Sequence, residues 1–226
     1  MFIKTLLGSV LSVASLTLLS GCGGSSSAKN QYTIELTNIT AAQPMSPLAV
    51  VAHNSNYKIY SVGSSATVAL EKLAEGGDNT VLINSAKSNS NVDFTHSGMT
   101  LIKPSSTQVI SITTSEQYLS LATMLVNTND AFTGINSYDL SSIAIGSSLE
   151  IGLVAYDAGT EMNSETPTTV PGLTGEGFNA NRDDGNTLIR LHSGVITNDD
   201  VLKSSGLSSI HKFDNPVAKI KIRRMK

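Results

Sequence analysis

Short segments of alternating apolar and polar residues are the feature that most limits how this chain can fold. In Gln31–Asn38, the apolar residues Tyr32, Ile34 and Leu36 are separated by polar ones, which is the pattern of a strand with one buried face. Many such segments joined by Gly-, Ser- and Asn-rich connections predict an all-β, antiparallel β-sandwich. The other strand-like runs are Leu48–Ala52, Tyr57–Tyr60, Gln108–Thr113, Tyr118–Leu125, Leu149–Tyr156, Thr187–Leu191 and Pro216–Ile222.

One region has the period of a helix instead. In Ser65–Glu75 apolar residues recur at i, i+3, i+4, i+7 and i+8, and Gly76-Gly77 follows. This pattern predicts an amphipathic helix that ends at the glycines. A second, shorter helix is predicted over Thr80–Ser85, with Asp78 as its candidate cap. We therefore expect a sandwich with one or two short helices inserted.

The N-terminus has the pattern of a secretory signal peptide. Lys4 supplies a positive charge ahead of the apolar stretch Leu6–Leu19. That stretch is too short, and too often interrupted by Ser and Thr, to cross a membrane as a helix. Residues 1–21 are therefore excluded from the expected fold.

The end of this stretch predicts a lipid anchor. Leu19-Ser-Gly-Cys22 resembles the lipobox of bacterial lipoproteins, which implies cleavage before Cys22 and acylation of that residue. Several acyl chains hold a protein stably at a membrane, whereas one chain holds it only marginally. The Gly- and Ser-rich residues 22–30 then form a flexible tether. By resemblance to lipoprotein sorting signals, Gly23 after the cysteine favours the outer membrane of the bacterial cell envelope, on its periplasmic or its surface face, over retention in the inner membrane.

Composition excludes several classes of function. Cys22 is the only cysteine, so its acylation leaves no thiol for a disulfide, for catalysis or for metal binding. The domain predicted over residues 31–226 must be stable through its core. A net charge of −3 and the absence of Trp do not indicate binding to nucleic acid.

Motifs of common enzyme classes are absent from the sequence. There is no GxSxG elbow, HExxH helix, phosphate-binding glycine loop or CxxC pair. Two His-Ser dipeptides occur, but neighbouring residues in a strand point to opposite faces and make poor catalytic partners. The histidines are scattered along the chain at His53, His96, His192 and His211.

Acidic residues cluster in one loop. Asp157, Glu161 and Glu165 are four positions apart and directly follow a strand-like run. Gly159 and the nearby Pro167 argue against a helix there, so the carboxylates lie in a loop at a strand end. Asn127–Asp130 follows another strand. If both loops meet at one end of the sandwich, their oxygen atoms suit Ca²⁺. The alternative is that Asp130 caps a turn and the Asp157 loop is solvated.

Several spaced motifs occur in order along the chain. They are Tyr32–Asn38, Gln43–Pro47, Leu119–Leu125, Asn127–Gly134, Asp157–Glu161 and Asn215–Ile220. Together they resemble the spondin N-terminal domain, known from F-spondin and from bacterial secreted proteins. The resemblance extends from about Gln31 to Ile222 and implies an antiparallel β-sandwich with a calcium site.

The resemblance also implies a ligand set. By position, the calcium ligands are Asp130, Asp157 and Glu161. This chain departs from the family pattern twice: Glu161 replaces an aspartate of the animal proteins, and Ala131 stands where an aromatic residue is common, with Phe132 available to replace its packing. Glu165 has no role that the resemblance assigns.

The expected function is that of a membrane-anchored, calcium-stabilised binding or adhesion module rather than an enzyme. Its ligand would be a protein or glycan that the sequence does not identify. Two alternatives stay open: an envelope hydrolase that uses the loop region 161–184, and a structural component of the envelope.

Overall fold

The computed structural model describes residues 28–175 and 177–226, so the signal peptide prediction and Cys22 lie outside the described residues. Within them, ten strands form two antiparallel sheets, which confirms the predicted all-β sandwich. The strands are β1 (Asn30–Asn38), β2 (Ala49–His53), β3 (Val92–Ser97), β4 (Thr107–Thr114), β5 (Tyr118–Met124), β6 (Ala131–Asp139), β7 (Ser148–Leu153), β8 (Ala155–Asp157), β9 (Arg190–Leu191) and β10 (Ala218–Arg224).

The first sheet follows directly from the alternating sequence pattern. Its strand order is β4-β1-β10-β7. Ile34 pairs with Ile222, and both side chains are fully buried against the second sheet. The intervening pair, Glu35 and Lys221, lies on the other face because successive residues of a strand point to opposite faces.

The second sheet is covered on both faces, and this explains its more continuous apolar sequence. Its strand order is β3-β2-β5-β6-β8-β9. Val50 belongs to the core between the sheets, whereas its neighbour Val51 belongs to a second cluster beneath the helices. A strand that is buried on both faces has no polar alternation to show, so β2 is buried at every position.

Two helices lie over the second sheet. The first, α1 (Val68–Gly76), begins after Thr67, whose side chain accepts the Leu70 N–H, and ends at Gly77 with a φ of 69°. The second, α2 (Thr80–Lys87), follows Asn79. The Asp78 carboxylate accepts the Thr80 N–H at 2.8 Å but is not the capping residue. Both predicted helices are confirmed, with α1 starting three residues later than predicted because the cap precedes Val68. Within residues 28–175 and 177–226, two single-turn 3-10 helices complete the helical elements, Leu140–Ser142 and Ser209–His211.

Several strand predictions were wrong or incomplete. The run Tyr57–Tyr60 forms no strand, because the Asn136 side chain bonds its backbone at the Ile59 N–H and the Tyr60 carbonyl, each at 2.8 Å. The run Thr187–Leu191 supplies only the two-residue β9. Strands β3 and β6 were not predicted.

The described part of the region 161–184 contains neither helix nor strand, as the sequence predicts. It is nonetheless anchored. Val170 is fully buried and contacts Val195 and Leu207 in a small third apolar cluster. Among the described residues, no helix combines the length and apolar character that a membrane crossing requires.

Candidate metal centre

Strand pairing brings the two acidic loops together. Strand β6 begins at Ala131 and β8 ends at Asp157, and these two residues are partners in the antiparallel register. The loop that ends at Asp130 and the loop that starts after Asp157 therefore emerge at the same end of the sheet. The two acidic loops do meet at one end of the sandwich, which was the condition for the calcium site predicted from the sequence.

Three carboxylates meet at this end. Asp130, Asp157 and Asp184 each offer an oxygen atom, and these atoms all lie within 4.8 Å of one another. Asp130 and Asp157 are buried, with 0% and 2% exposure. Burying charges of the same sign this closely is costly unless a positive charge or protons accompany them.

Asp130 is only half satisfied by protein groups. Its Oδ2 accepts the N–H groups of Thr160 and Glu161 at 2.8 and 3.1 Å and lies 3.2 Å from the Thr160 hydroxyl, which donates to it. Its Oδ1 is buried and has no hydrogen-bond partner. A buried carboxylate oxygen without a donor is available to a cation.

Asp157 is held by the turn that follows it. Its Oδ1 accepts the Gly159 N–H at 2.8 Å, and its Oδ2 accepts from Asn163 at 2.9 Å and from Arg190 at 2.8 Å. Gly159 has a φ of 69°, and a Cβ there would lie 2.7 Å from the Asn186 carbonyl oxygen. The turn therefore requires glycine at this position.

Glu161 reaches the centre with its backbone rather than with its carboxylate. Its N–H donates to Asp130, but its side chain is outside the group of three converging carboxylates. Burial and the nearby Glu75 and Asp130 carboxylates raise the pKa of Glu161 to about 8. Glu75, near the end of α1, is itself buried, and its Oε1 has no partner.

The electrostatics of the centre favour bound positive charge. Burial, with repulsion from Asp157, raises the pKa of Asp130 to about 7. Burial also raises the pKa of Asp157, although Asn163 and Arg190 favour its charged form. Burial and mutual repulsion therefore oppose full ionisation of this pair, and a bound cation would favour the ionised forms.

Sequence reasoning missed Asp184 and Arg190. Both belong to the stretch around residues 177–191, which the sequence presents as a long loop and a short strand. The only local signal is the Asp183-Asp184-Gly185 turn, which is common in loops of every kind. Nothing near it in the sequence indicates contact with Asp130.

Two buried histidines offer a different chemistry but are closed to solvent. His53 Nε2 lies 2.7 Å from the Ser120 hydroxyl, yet both residues have 0% exposure. His192 is also buried, and its burial lowers its pKa to about 4. The His53–Ser120 pair is therefore not accessible to a substrate in this structure.

An open cleft of about 380 Å³ lies elsewhere on the molecule, between the second sheet and strand β7. Three tyrosines, Tyr60, Tyr138 and Tyr156, contribute to its lining, and none of the converging carboxylates does. Tyr60 and Tyr156 also pack against the buried Phe132, with ring centroids 5.0 and 5.5 Å away. The cleft and the carboxylate cluster are therefore separate features.

Fold and site together define a class: an antiparallel β-sandwich whose loops converge at one end on a buried carboxylate cluster suited to a hard cation. A comparison with family models matches residues 29–171 to the spondin N-terminal domain family, Spondin_N. Since the match covers more than half of the chain, the protein belongs to this family, and the resemblance found in the sequence is confirmed over residues 29–171. A comparison with curated proteins finds no match.

Proposed function

We propose that the protein is a calcium-binding spondin-type module of the bacterial cell envelope. In this proposal acylated Cys22 holds it at the outer membrane, and the sandwich binds a protein or glycan ligand in the manner of an adhesion module. The calcium ion has a structural role: it neutralises the carboxylates and holds the loops in place at one end of the sandwich.

A single observation carries the calcium proposal. Two acidic residues from separate motifs, Asp130 and Asp157, are brought together by the β6–β8 register, and the buried Oδ1 of Asp130 lacks any protein donor. The candidate ligand atoms that converge there are carboxylate oxygens, and hard oxygen donors favour Ca²⁺ or Mg²⁺ over metals that prefer thiolate or imidazole. The residues present therefore fit the group that the family implies.

The sequence-derived ligand set of Asp130, Asp157 and Glu161 is retained in this proposal. The carboxylates of Asp130 and Asp157 already converge, whereas the Glu161 side chain lies beside Glu75. Backbone carbonyl groups and water would complete the six to eight ligands that Ca²⁺ takes. When bound, the ion supplies positive charge that offsets the repulsion between the loops.

Burial of the centre favours a structural ion over a catalytic one. Asp130 and Asp157 are almost completely excluded from solvent, so an ion between them would face protein rather than a substrate. The hydrolase alternative has no comparable observation in its favour, since the His53–Ser120 pair is fully buried. The alternative of a purely structural envelope component would share the same calcium site and differ only in its partner.

Thermal melting of the full chain, with calcium or with a chelator, tests the proposal. Calcium at about one hundred times its dissociation constant should stabilise the wild type by roughly 2.7 kcal/mol. Asp130→Ala and Asp157→Ala should lose most of this gain, and Asp214→Ala, at an exposed aspartate, should keep it. A wild-type melting temperature that ignores calcium, with no heat of binding up to millimolar concentrations, would show that the site assignment is wrong.

The binding role can be tested with the same proteins. Wild type and Asp130→Ala are used as baits in envelope extract, with calcium or with chelator. Retention of the same envelope component by the wild type in calcium only is the expected result. Equal retention by both proteins under both conditions would contradict a role for calcium in ligand binding.

A further inference from the structure

The family match ends at residue 171, but the carboxylate cluster does not. Asp184 lies beyond the match, and its carboxylate is the third member of the group within 4.8 Å. Its side chain is 11% exposed, so it faces the buried end of the cluster rather than open solvent. Asp184 is therefore an acidic group of the cluster that belongs to neither of the two motifs that supply Asp130 and Asp157.

The segment that carries Asp184 is fixed to the body of the sandwich on one side by α1. The Arg182 guanidinium donates to both Glu71 carboxylate oxygens, at 2.9 and 2.5 Å. The Asn179 N–H donates to Glu75 at 2.7 Å. Since Glu71 and Glu75 are buried on α1, these contacts attach the segment to a rigid element.

On its other side the segment is attached to the acidic loop itself. The Asp183 N–H donates to the Thr160 carbonyl at 3.2 Å, and the Met162 N–H donates to the Asp183 carboxylate at 2.8 Å. Thr160 in turn donates to Asp130. Asp184 is thus placed at the centre by the two bonded residues that precede it, Arg182 and Asp183, and not by a free loop.

The balance of charges around Asp184 is compatible with a bound divalent cation. The Arg190 guanidinium contacts Asp184 Oδ2 at 2.6 Å and Asp157 Oδ2 at 2.8 Å. When all three carboxylates are ionised, one guanidinium does not neutralise them, and a doubly charged cation would balance the remaining charge. The Asp130 Oδ1 atom, which has no protein donor, gives the cluster an oxygen that Arg190 does not occupy.

We propose that Asp184 is a direct ligand of the cation held by Asp130 and Asp157, so that the segment 177–191 outside the family match closes the site. This inference rests on the proposed calcium binding. It adds a fourth carboxylate to the three that the family resemblance implies. It also makes the order of the segment dependent on calcium.

Isothermal titration of the full chain with CaCl₂ tests this assignment. Asp184→Asn should weaken calcium binding by about tenfold or more, since loss even of an outer partner of a metal ligand typically costs 10–100-fold. Asp214→Asn is the matched control, because Asp214 is exposed and its carboxylate is outside the converging group. It should bind within about twofold of the wild type.

The outcomes separate this inference from the proposed function. If the wild type binds calcium and Asp184→Asn binds equally well, the Asp184 assignment is overturned and calcium binding stands. If the wild type does not bind calcium, both are overturned. Hydrogen exchange of the wild type provides a second measurement that does not depend on the variant folding. Calcium should slow exchange in residues 177–191, and unchanged exchange there would also count against the assignment.

Discussion

Glu165 is a strained and poorly satisfied residue close to the carboxylate cluster. Its backbone is left-handed, with a φ of 57°, which costs free energy for a residue other than glycine. The side chain is 1% exposed, and its Oε2 has no partner. Its other oxygen accepts only a long bond of 3.4 Å from the Ile196 N–H. Burial, with a contribution from Asp130, raises the pKa of Glu165 to about 7.

This raised pKa predicts that ionisation of Glu165 lowers the free energy of unfolding at high pH. Glu165→Gln should remove that loss of stability. Between the ordinary pKa of 4.5 and about 7, the folded protein keeps a proton that the unfolded chain has released, so stability falls as pH rises. In chelator, Glu165→Gln should raise the free energy of unfolding by about 1–3 kcal/mol at pH 8. Near pH 4 the difference should vanish. Urea denaturation at both pH values measures it.

Glu150→Gln is the control for this experiment, because Glu150 is exposed on strand β7. It should change stability by less than about 0.5 kcal/mol at either pH. A Glu165→Gln variant that is less stable than the wild type at pH 8 would contradict a buried carboxylate with a raised pKa. It would indicate instead that the charged form is bound by groups that favour it.

At the scale of elements, strands β5 and β6 approach each other so closely that Gly134 leaves no room for a side chain. A Cβ at Gly134 would lie 2.0 Å from the Leu121 carbonyl oxygen, a backbone atom. The register of the two strands also shifts between Leu119 and Leu121, and Ser137 in the same strand has a φ of 53°. This irregularity helps to explain why the sequence pattern did not predict β6.

Gly134→Ala should therefore destabilise the protein strongly. No side-chain rotation can relieve a clash with backbone, so the strands must separate, and we expect a loss of more than about 3 kcal/mol. Gly185→Ala is the matched control, because a Cβ there meets nothing within 4 Å. Chemical denaturation of both variants in chelator gives the comparison, and equal stability of the two would show that β5 and β6 are not packed this closely.

At the scale of the whole molecule, the predicted lipid anchor would determine where in the cell the sandwich is located. The lipobox resemblance at Cys22 lies outside the described residues, so the anchor stays a prediction from sequence. The described chain begins close to β1, which starts at Asn30. Few residues separate the predicted acylation site from the sandwich, which would keep the domain near the membrane surface.

Cys22→Ser tests the anchor in the intact cell. Without the thiol no acyl chain can be attached, so the variant should accumulate as uncleaved precursor or leave the membrane fraction. Fractionation with a high-salt wash, followed by immunoblotting, distinguishes these outcomes from retention through charge. Gly23→Ser, which keeps the cysteine, is the control and should stay membrane-bound. Wild-type levels of processed Cys22→Ser in the washed membranes would exclude acylation as the anchor.

The sequence by itself determined the class of fold. Alternation in Gln31–Asn38 fixes which face of β1 is buried, and the change of period before Gly76-Gly77 locates α1. Spaced motifs identify the family and select Asp130 and Asp157. These features are local or are shared by a family, so they can be found in a single chain.

Only the tertiary structure decided how the site is completed. Asp184 reaches Asp130 because Arg182 is bonded to α1, and no periodicity connects residues so far apart in the chain. The Glu161 side chain lies beside Glu75 for the same reason: α1 packs over the second sheet. Sequence patterns report how one segment is buried, whereas the convergence of charges depends on which segments pack together, and that is settled only when the whole sandwich has formed.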